Sequence, residues 1–190
     1  MVLAVVLVVL VIFGYSLSGK YNTIVQLDEG VKAAWSQVEN VYQRRLDLIP
    51  NLVATVQGEA NFEQETLIQV TEARASATKL DIDVSDAQQM TEFQQMQGGL
   101  SQALGRLLVA SENYPTLQSN GAFSDLRVQL EGTENRISVE RMNYNQAAQT
   151  YNVYIRTFPT MFVASLLGFK RAELFSALEG AEVVPVVQFE

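Results

Sequence analysis

The chain has 190 residues, room for one domain with a substantial core, and 48% hydrophobic content with only 11 glycines and 4 prolines points to a globular, mostly helical class. A formal net charge of −8 argues against a nucleic-acid partner, because phosphate binding needs a basic face. With neither cysteine nor histidine, the chain has no disulfide framework and lacks the commonest general base and metal ligand, so no metal and no cofactor is expected.

The chain opens on MVLAVVLVVLVIF, apolar throughout. Counted to Leu17, the run is about 17 residues long, the short limit of a membrane span. It is expected to be a single-pass transmembrane anchor over residues 1–18, with Val2, Leu3, Val5, Leu7, Leu10 and Phe13 in the bilayer. A cleaved leader is the alternative, but no A-x-A-like site closes the run. No basic residue precedes it, and Lys20 and Lys32 are interleaved with Asp28 and Glu29, so charge sets orientation only weakly. The lean is to a domain on the extracytoplasmic side of the membrane.

From Tyr21 the apolar period becomes helical. Ile24, Val31 and Val38 recur every seven residues, and Leu27, Ala34, Val41 and Leu48 do so at a partner position, the a and d positions of a coiled-coil seam. Arg45 falls on the next a position. Pro50 lacks the N–H that would bond the Leu46 carbonyl, so a kink is expected there. A second helix is expected from an N-cap at Asn61, with Leu67, Val70, Ala73, Ala77 and Leu80 on one face. A third starts at a capping box on Ser85 and carries Phe93, Met96, Leu100, Leu104, Leu107 and Ser111. Gly98 and Gly99 weaken it and imply close packing against a neighbour. A fourth, long helix is expected over 117–158, broken by Phe158-Pro159. The apolar run MFVASLLGF, residues 161–169, is too short to span a bilayer. It reads either as an interfacial segment or as the last core helix. A short helix is expected around 174–178, and the tail 181–190 has no helical period. The architecture is all-α: a membrane helix, then an antiparallel bundle of four long helices over 19–180.

Two sets of polar residues could carry function. Glu39, Arg44, Arg45 and Asp47 on the first helix, with Glu134, Asn135, Arg136, Glu140 and Arg141 on the fourth, form a structural network if the two helices face each other. Paired carboxylates acting as acid and base are the catalytic reading, but no nucleophile with a base accompanies them. The pairs Tyr21-Asn22, Tyr144-Asn145 and Tyr151-Asn152 are either a ligand or interface ladder, or hydrogen bonds at the rim of the bundle; the last two lie seven residues apart on one helix face.

The stretches YNTIVQLDEGVKAAWSQVENVYQRRLDLIPNLV, LIQVTEARA, LEGTENRISVERMNYN and YNVYIRTFPT resemble the LemA family of bacterial membrane proteins over nearly the whole chain after the apolar run. The resemblance implies an N-terminal membrane helix and a four-helix bundle, and carries over no catalytic residue. The departure is the missing basic flank ahead of the anchor. The expected function is that of a non-enzymatic, membrane-anchored scaffold of the cell envelope that forms homo-oligomers. Its partners are the lipid bilayer, other copies and other envelope proteins. The alternative is a module that binds a peptide, lipid or small ligand in a Tyr/Asn/Arg-lined cleft.

Overall fold

The computed structural model describes residues 2–59, 62–78 and 81–176, with side chains from Ser18 onward. Among these residues there are six helices, in order α1 (Val2–Gln57), α2 (Gln64–Ser76), α3 (Ala87–Ser111), α4 (Pro115–Gln118), α5 (Gly121–Arg156) and α6 (Thr160–Leu167). No strand occurs among the described residues. The fold is therefore all-α, but it is not four long helices side by side. Two long helices, α1 and α5, run antiparallel, as the contacts Lys20–Tyr154, Trp35–Tyr144 and Arg45–Glu134 show. The shorter α2 and α3 pack on them and on each other.

Along α1 the first seam position holds: Ile24, Val31, Val38, Arg45 and Leu52 are all buried. The second holds only at Val41, while Leu27, Ala34 and Leu48 are half-buried. Trp35, Tyr42, Ile49 and Val56, each four residues after a first-seam position, complete the inner face. The a/d seam is corrected to a wider a/e face. A narrow seam serves one neighbour, whereas α1 is covered by α5 on one flank and by α3 and the C-terminal segment on another.

The core falls into two clusters, one on each side of the Arg45 level. One joins Trp35, Tyr42, Phe93, Tyr144 and Phe175; the other joins Ile49, Leu52, Val70, Leu104 and Leu130.

Several boundaries differ from expectation. The α2 cap is Glu63, whose carboxylate accepts from the Thr66 hydroxyl rather than from a backbone N–H, and Asn61 lies outside the described residues. Asp86, not Ser85, caps α3: its carboxylate accepts the N–H groups of Gln88 and Gln89, while the Ser85 hydroxyl donates to Asp83. Gln97, not Met96, takes the buried place on α3. A Cβ at Gly99 or Gly105 would meet nothing, so close packing within the chain does not account for these glycines. The long fourth helix is interrupted: Ser119 caps the end of α4, and Asn120 starts α5 by accepting from Ala122 and Phe123.

α6 stops at Gly168, whose φ of 77° is the left-handed C-cap conformation that glycine adopts without strain. Beyond it, residues 169–176 form neither helix nor strand, so the expected helix around 174–178 does not form in its described part. Among the described residues no helix is long and apolar enough to cross a membrane, and no transmembrane helix is found. The side chains of Val2, Leu3, Val5, Leu7, Leu10 and Phe13, and the tail 181–190, lie outside the described residues.

Candidate functional site

Among the described residues, Arg45 is the one buried charged side chain. Arg45 is 1% exposed. Its Nη1 donates to Glu134 Oε1 at 2.6 Å and to Ser101 Oγ at 2.8 Å, and its Nη2 donates to Gln97 Oε1. Gln97 in turn donates to the Ala77 carbonyl at 3.0 Å, and the guanidinium lies 5.0 Å from the Tyr42 ring. Arg45 Nε has no hydrogen-bond partner among the described residues, and a pocket of about 40 Å³ beside it has room for a water molecule. Burial raises the pKa of the Tyr42 hydroxyl here, opposed by Arg141 and Arg45.

Of the charged residues in the candidate network, only Arg45 and Glu134 meet. Arg44, Asn135 and Arg136 are exposed. Asp47 is exposed and accepts from Gln43 on its own helix; Glu140 accepts from Asn143. Glu39 is half-buried and accepts from Trp35 Nε1 at 2.9 Å. Its carboxyl pKa is pushed up, first by burial and then by Asp81, against the lowering effect of the Trp35 bond. Arg141 turns to the C-terminal segment, donating to the Ser176 carbonyl and lying 4.6 Å from the Phe175 ring.

Pro50 sits inside α1, which stays helical to Gln57. The Leu46 carbonyl that Pro50 leaves without an N–H accepts instead from Arg74 Nε of α2 at 3.0 Å.

The second constellation is a cradle on α5. The Tyr151 hydroxyl donates to the Lys170 carbonyl at 2.8 Å. Asn152 donates to the Ala172 carbonyl at 2.7 Å and accepts the Ala172 N–H at 2.9 Å. One step down the helix, the Tyr144 hydroxyl donates to the Glu173 carbonyl at 2.8 Å. Asn145 then donates to the Phe175 carbonyl at 3.0 Å and accepts its N–H at 2.9 Å. Each asparagine thus gives the segment what a neighbouring strand would give it, one donor and one acceptor.

The step is seven residues on the helix and three on the segment. Seven residues of α-helix rise about 10.5 Å, and three residues of a chain with the threefold repeat of polyproline II advance about 9.3 Å, so the two repeats stay close to register. Most of the recognition is of backbone, so side-chain selectivity is confined to the two buried positions, Ala172 and Phe175. The Phe175 ring stacks 5.8 Å from Trp35 and meets Tyr144 edge-on at 5.5 Å. The segment's other edge is held by the Glu173 N–H bonding the Val84 carbonyl at 2.8 Å and the Ser176 N–H bonding Gln94 Oε1 at 3.2 Å. Burial raises both phenol pKa values, that of Tyr151 to about 12, so both hydroxyls remain protonated donors at neutral pH. The third pair is not part of this cradle: Tyr21 touches Phe169 and Asn22 is exposed.

Gln97, Ser101 and Arg74 were not singled out in the sequence. A signal for Gln97 was present, since it falls in the spacing Met90, Phe93, Gln97, Leu100, Leu104, Leu107 of a buried helical face. Among the described residues, no group of three or more acidic side chains could hold a metal ion.

The sequence model of the LemA family matches residues 34–189. The chain belongs to the LemA family. Magnetosome protein MamQ 2 of Paramagnetospirillum magneticum is 32% identical over 82% of this chain and 64% of its own length. Magnetosome protein MamQ of Magnetospirillum gryphiswaldense is 29% identical over 92% of this chain and 71% of its own. Protein LemA of Metamycoplasma hominis is 26% identical over 88% and 74%. This LemA family chain thus spans less than two thirds of the length of the first of these relatives. The matched range contains both the Arg45 layer and the α5 cradle.

Proposed function

We propose that this LemA family member is a non-enzymatic structural protein of the bacterial envelope. In this reading residues 1–18 anchor it in the inner membrane, the bundle stands on the extracytoplasmic side, and copies assemble along the outer face of α5. The observation that carries the self-assembly is an apolar stripe. Val128, Val139, Met142 and Val153 are all exposed. Val128 and Val139 are eleven residues apart, as are Met142 and Val153; eleven residues are about three helical turns, so the four share one face. Gly132, Asn135 and Gln146 between them are exposed and uncharged. On a chain of net charge −8, such a stripe is where two copies approach with least repulsion.

The non-enzymatic part rests on how the polar groups are used. The Arg45 layer binds Glu134, Gln97 and Ser101, and the α5 cradle is filled by the chain's own residues 170–175. The same cradle favours the second reading, a peptide-binding module, because it reads backbone. A foreign peptide would first have to displace the chain's own segment.

The test is the particle mass of the full chain in mild detergent, by light scattering, for the wild type and for Val139→Glu with Met142→Glu. A discrete oligomer that falls to a monomer in the variant, with helicity unchanged, is expected. A monomeric wild type would sink the self-assembly. An oligomer indifferent to both substitutions would remove α5 from the contact.

A further inference from the structure

We propose that α6, together with Phe158 just before it, is an interfacial helix that lies on the bilayer surface. The proposal rests on the anchor reading above for where the bilayer is. α6, TMFVASLL, contains no charged residue, and a helix apolar on all sides is ordinarily buried on all sides. Here only Thr160, Val163 and Ala164 are buried. Phe158, Phe162 and Leu166 form a row at four-residue spacing and are 79%, 61% and 85% exposed, and Met161 and Leu167 beside them are exposed as well. The Phe158 and Phe162 rings touch edge-on at 5.9 Å, so the patch is continuous. An exposed apolar patch of this kind marks a surface that is covered in use.

Two observations select the bilayer as the cover. The first is position. The Tyr21 and Phe169 rings lie 6.3 Å apart and the Lys20 ammonium lies 5.9 Å from the Tyr154 ring. α6 therefore sits at the level of Lys20 on α1, and α1 continues from there toward Val2 through the apolar run. Tyr21, half in solvent at this level, is a residue type that gathers at membrane interfaces.

The second is charge. Around α6, the charged residues of α1, α5 and the segment that follows α6 are Lys20, Arg156, Lys170 and Arg171; Asp83 and Asp86 act on Lys170, and Asp28 lies further along α1 near Tyr151. The chain as a whole carries −8. A basic rim around an apolar helix matches anionic headgroups over an acyl boundary. A second copy meeting the same patch would instead bring its own Lys20, Arg156 and Arg171 against these.

The chain has no cysteine, so single-cysteine variants of the full chain each carry one spin label. Phe162→Cys and Leu166→Cys are compared with Val9→Cys in the apolar run and Gln69→Cys on α2, in nanodiscs of phosphatidylcholine with a minority of phosphatidylglycerol. The readout is the accessibility of each label to oxygen against a polar nickel complex. Labels at 162 and 166 should have an oxygen-to-nickel ratio several-fold above that at 69, and shallower immersion than at 9. Ratios at 162 and 166 equal to that at 69, with 9 immersed, would overturn the interfacial helix and leave the anchor standing. An aqueous label at 9 as well would overturn both. Spin–spin broadening at 162 that disappears on dilution with unlabelled chain would put a second copy on the patch and overturn the bilayer as its cover.

Discussion

Arg45 and Glu134 share an ion pair but not an environment: the guanidinium side chain is 1% exposed and the carboxylate 43%. The two halves of the pair should therefore differ in what their loss costs. Glu134→Ala leaves a buried positive charge facing neutral acceptors, at about 3 kcal/mol. Arg45→Met lets Glu134 turn to water and strands mainly the Gln97 oxygen, at about 1–2 kcal/mol. Urea unfolding of both variants checks the order, and a larger loss for Arg45→Met would mean that Glu134 is not the group that compensates the charge. Glu39 offers a pH test. Its carboxyl pKa is raised by burial, so the folded state disfavours the ionised form, and the penalty grows as pH rises through the raised pKa. Glu39→Gln keeps an acceptor for Trp35 Nε1 and removes the charge. It should raise the melting temperature at pH 7 and do so less below the ordinary carboxylate range; an equal gain at both pH values would mean that ionisation is not the cause. At this scale the sequence shows where a charge interrupts a stripe, as at Arg45. It does not show who answers the charge, because Gln97 and Ser101 come from a helix more than fifty residues away.

Between elements, the tie that carries most information is Arg74 Nε to the Leu46 carbonyl, because α2 supplies the donor that Pro50 removes from α1. In a double-mutant cycle, Arg74→Met should cost about 1 kcal/mol when Pro50 is present and close to nothing in the Pro50→Ala background, where residue 50 again has an N–H for Leu46. Equal costs in both backgrounds would show that Arg74 acts only by packing. Periodicity made α1, the body of α3 and most of α5 legible, because each repeats an apolar face over many turns. The departures share one physical cause, which is that tertiary partners are invisible to a local pattern. Trp35 and Tyr42 belong to the inner face because a second neighbour covers it, and Asn120 breaks the fourth helix by capping its own next turn. The stretch around 174–178 reads as a short helix because Leu174 and Phe175 are apolar, yet residues 170–176 are not helical. Their backbone is instead satisfied by asparagines and tyrosines 19 to 30 positions earlier.

For the whole molecule, the C-terminal segment acts as a staple, since it bonds α5, the loop at Val84 and Gln94 of α3, and sets Phe175 against Trp35 of α1. It touches only one of the two core clusters, because the other lies beyond the polar Arg45 layer. Removing the staple should therefore loosen the molecule unevenly. Asn145→Ala with Asn152→Ala takes away both bidentate pairs without shortening the chain. Trp35 is the only tryptophan, so its emission reports the staple directly and should shift to the red as Phe175 leaves it. Hydrogen exchange should rise at Ala172 and Phe175 and along α5 near Tyr144 and Tyr151. Leu100, Leu104 and Leu107, in the cluster beyond Arg45, should keep their protection. Loss of protection in both clusters together would mean that the Arg45 layer couples the two halves into one cooperative unit. Arg45 would then bind the halves together rather than separate them, and its guanidinium, held by both α3 and α5, would be the coupling point.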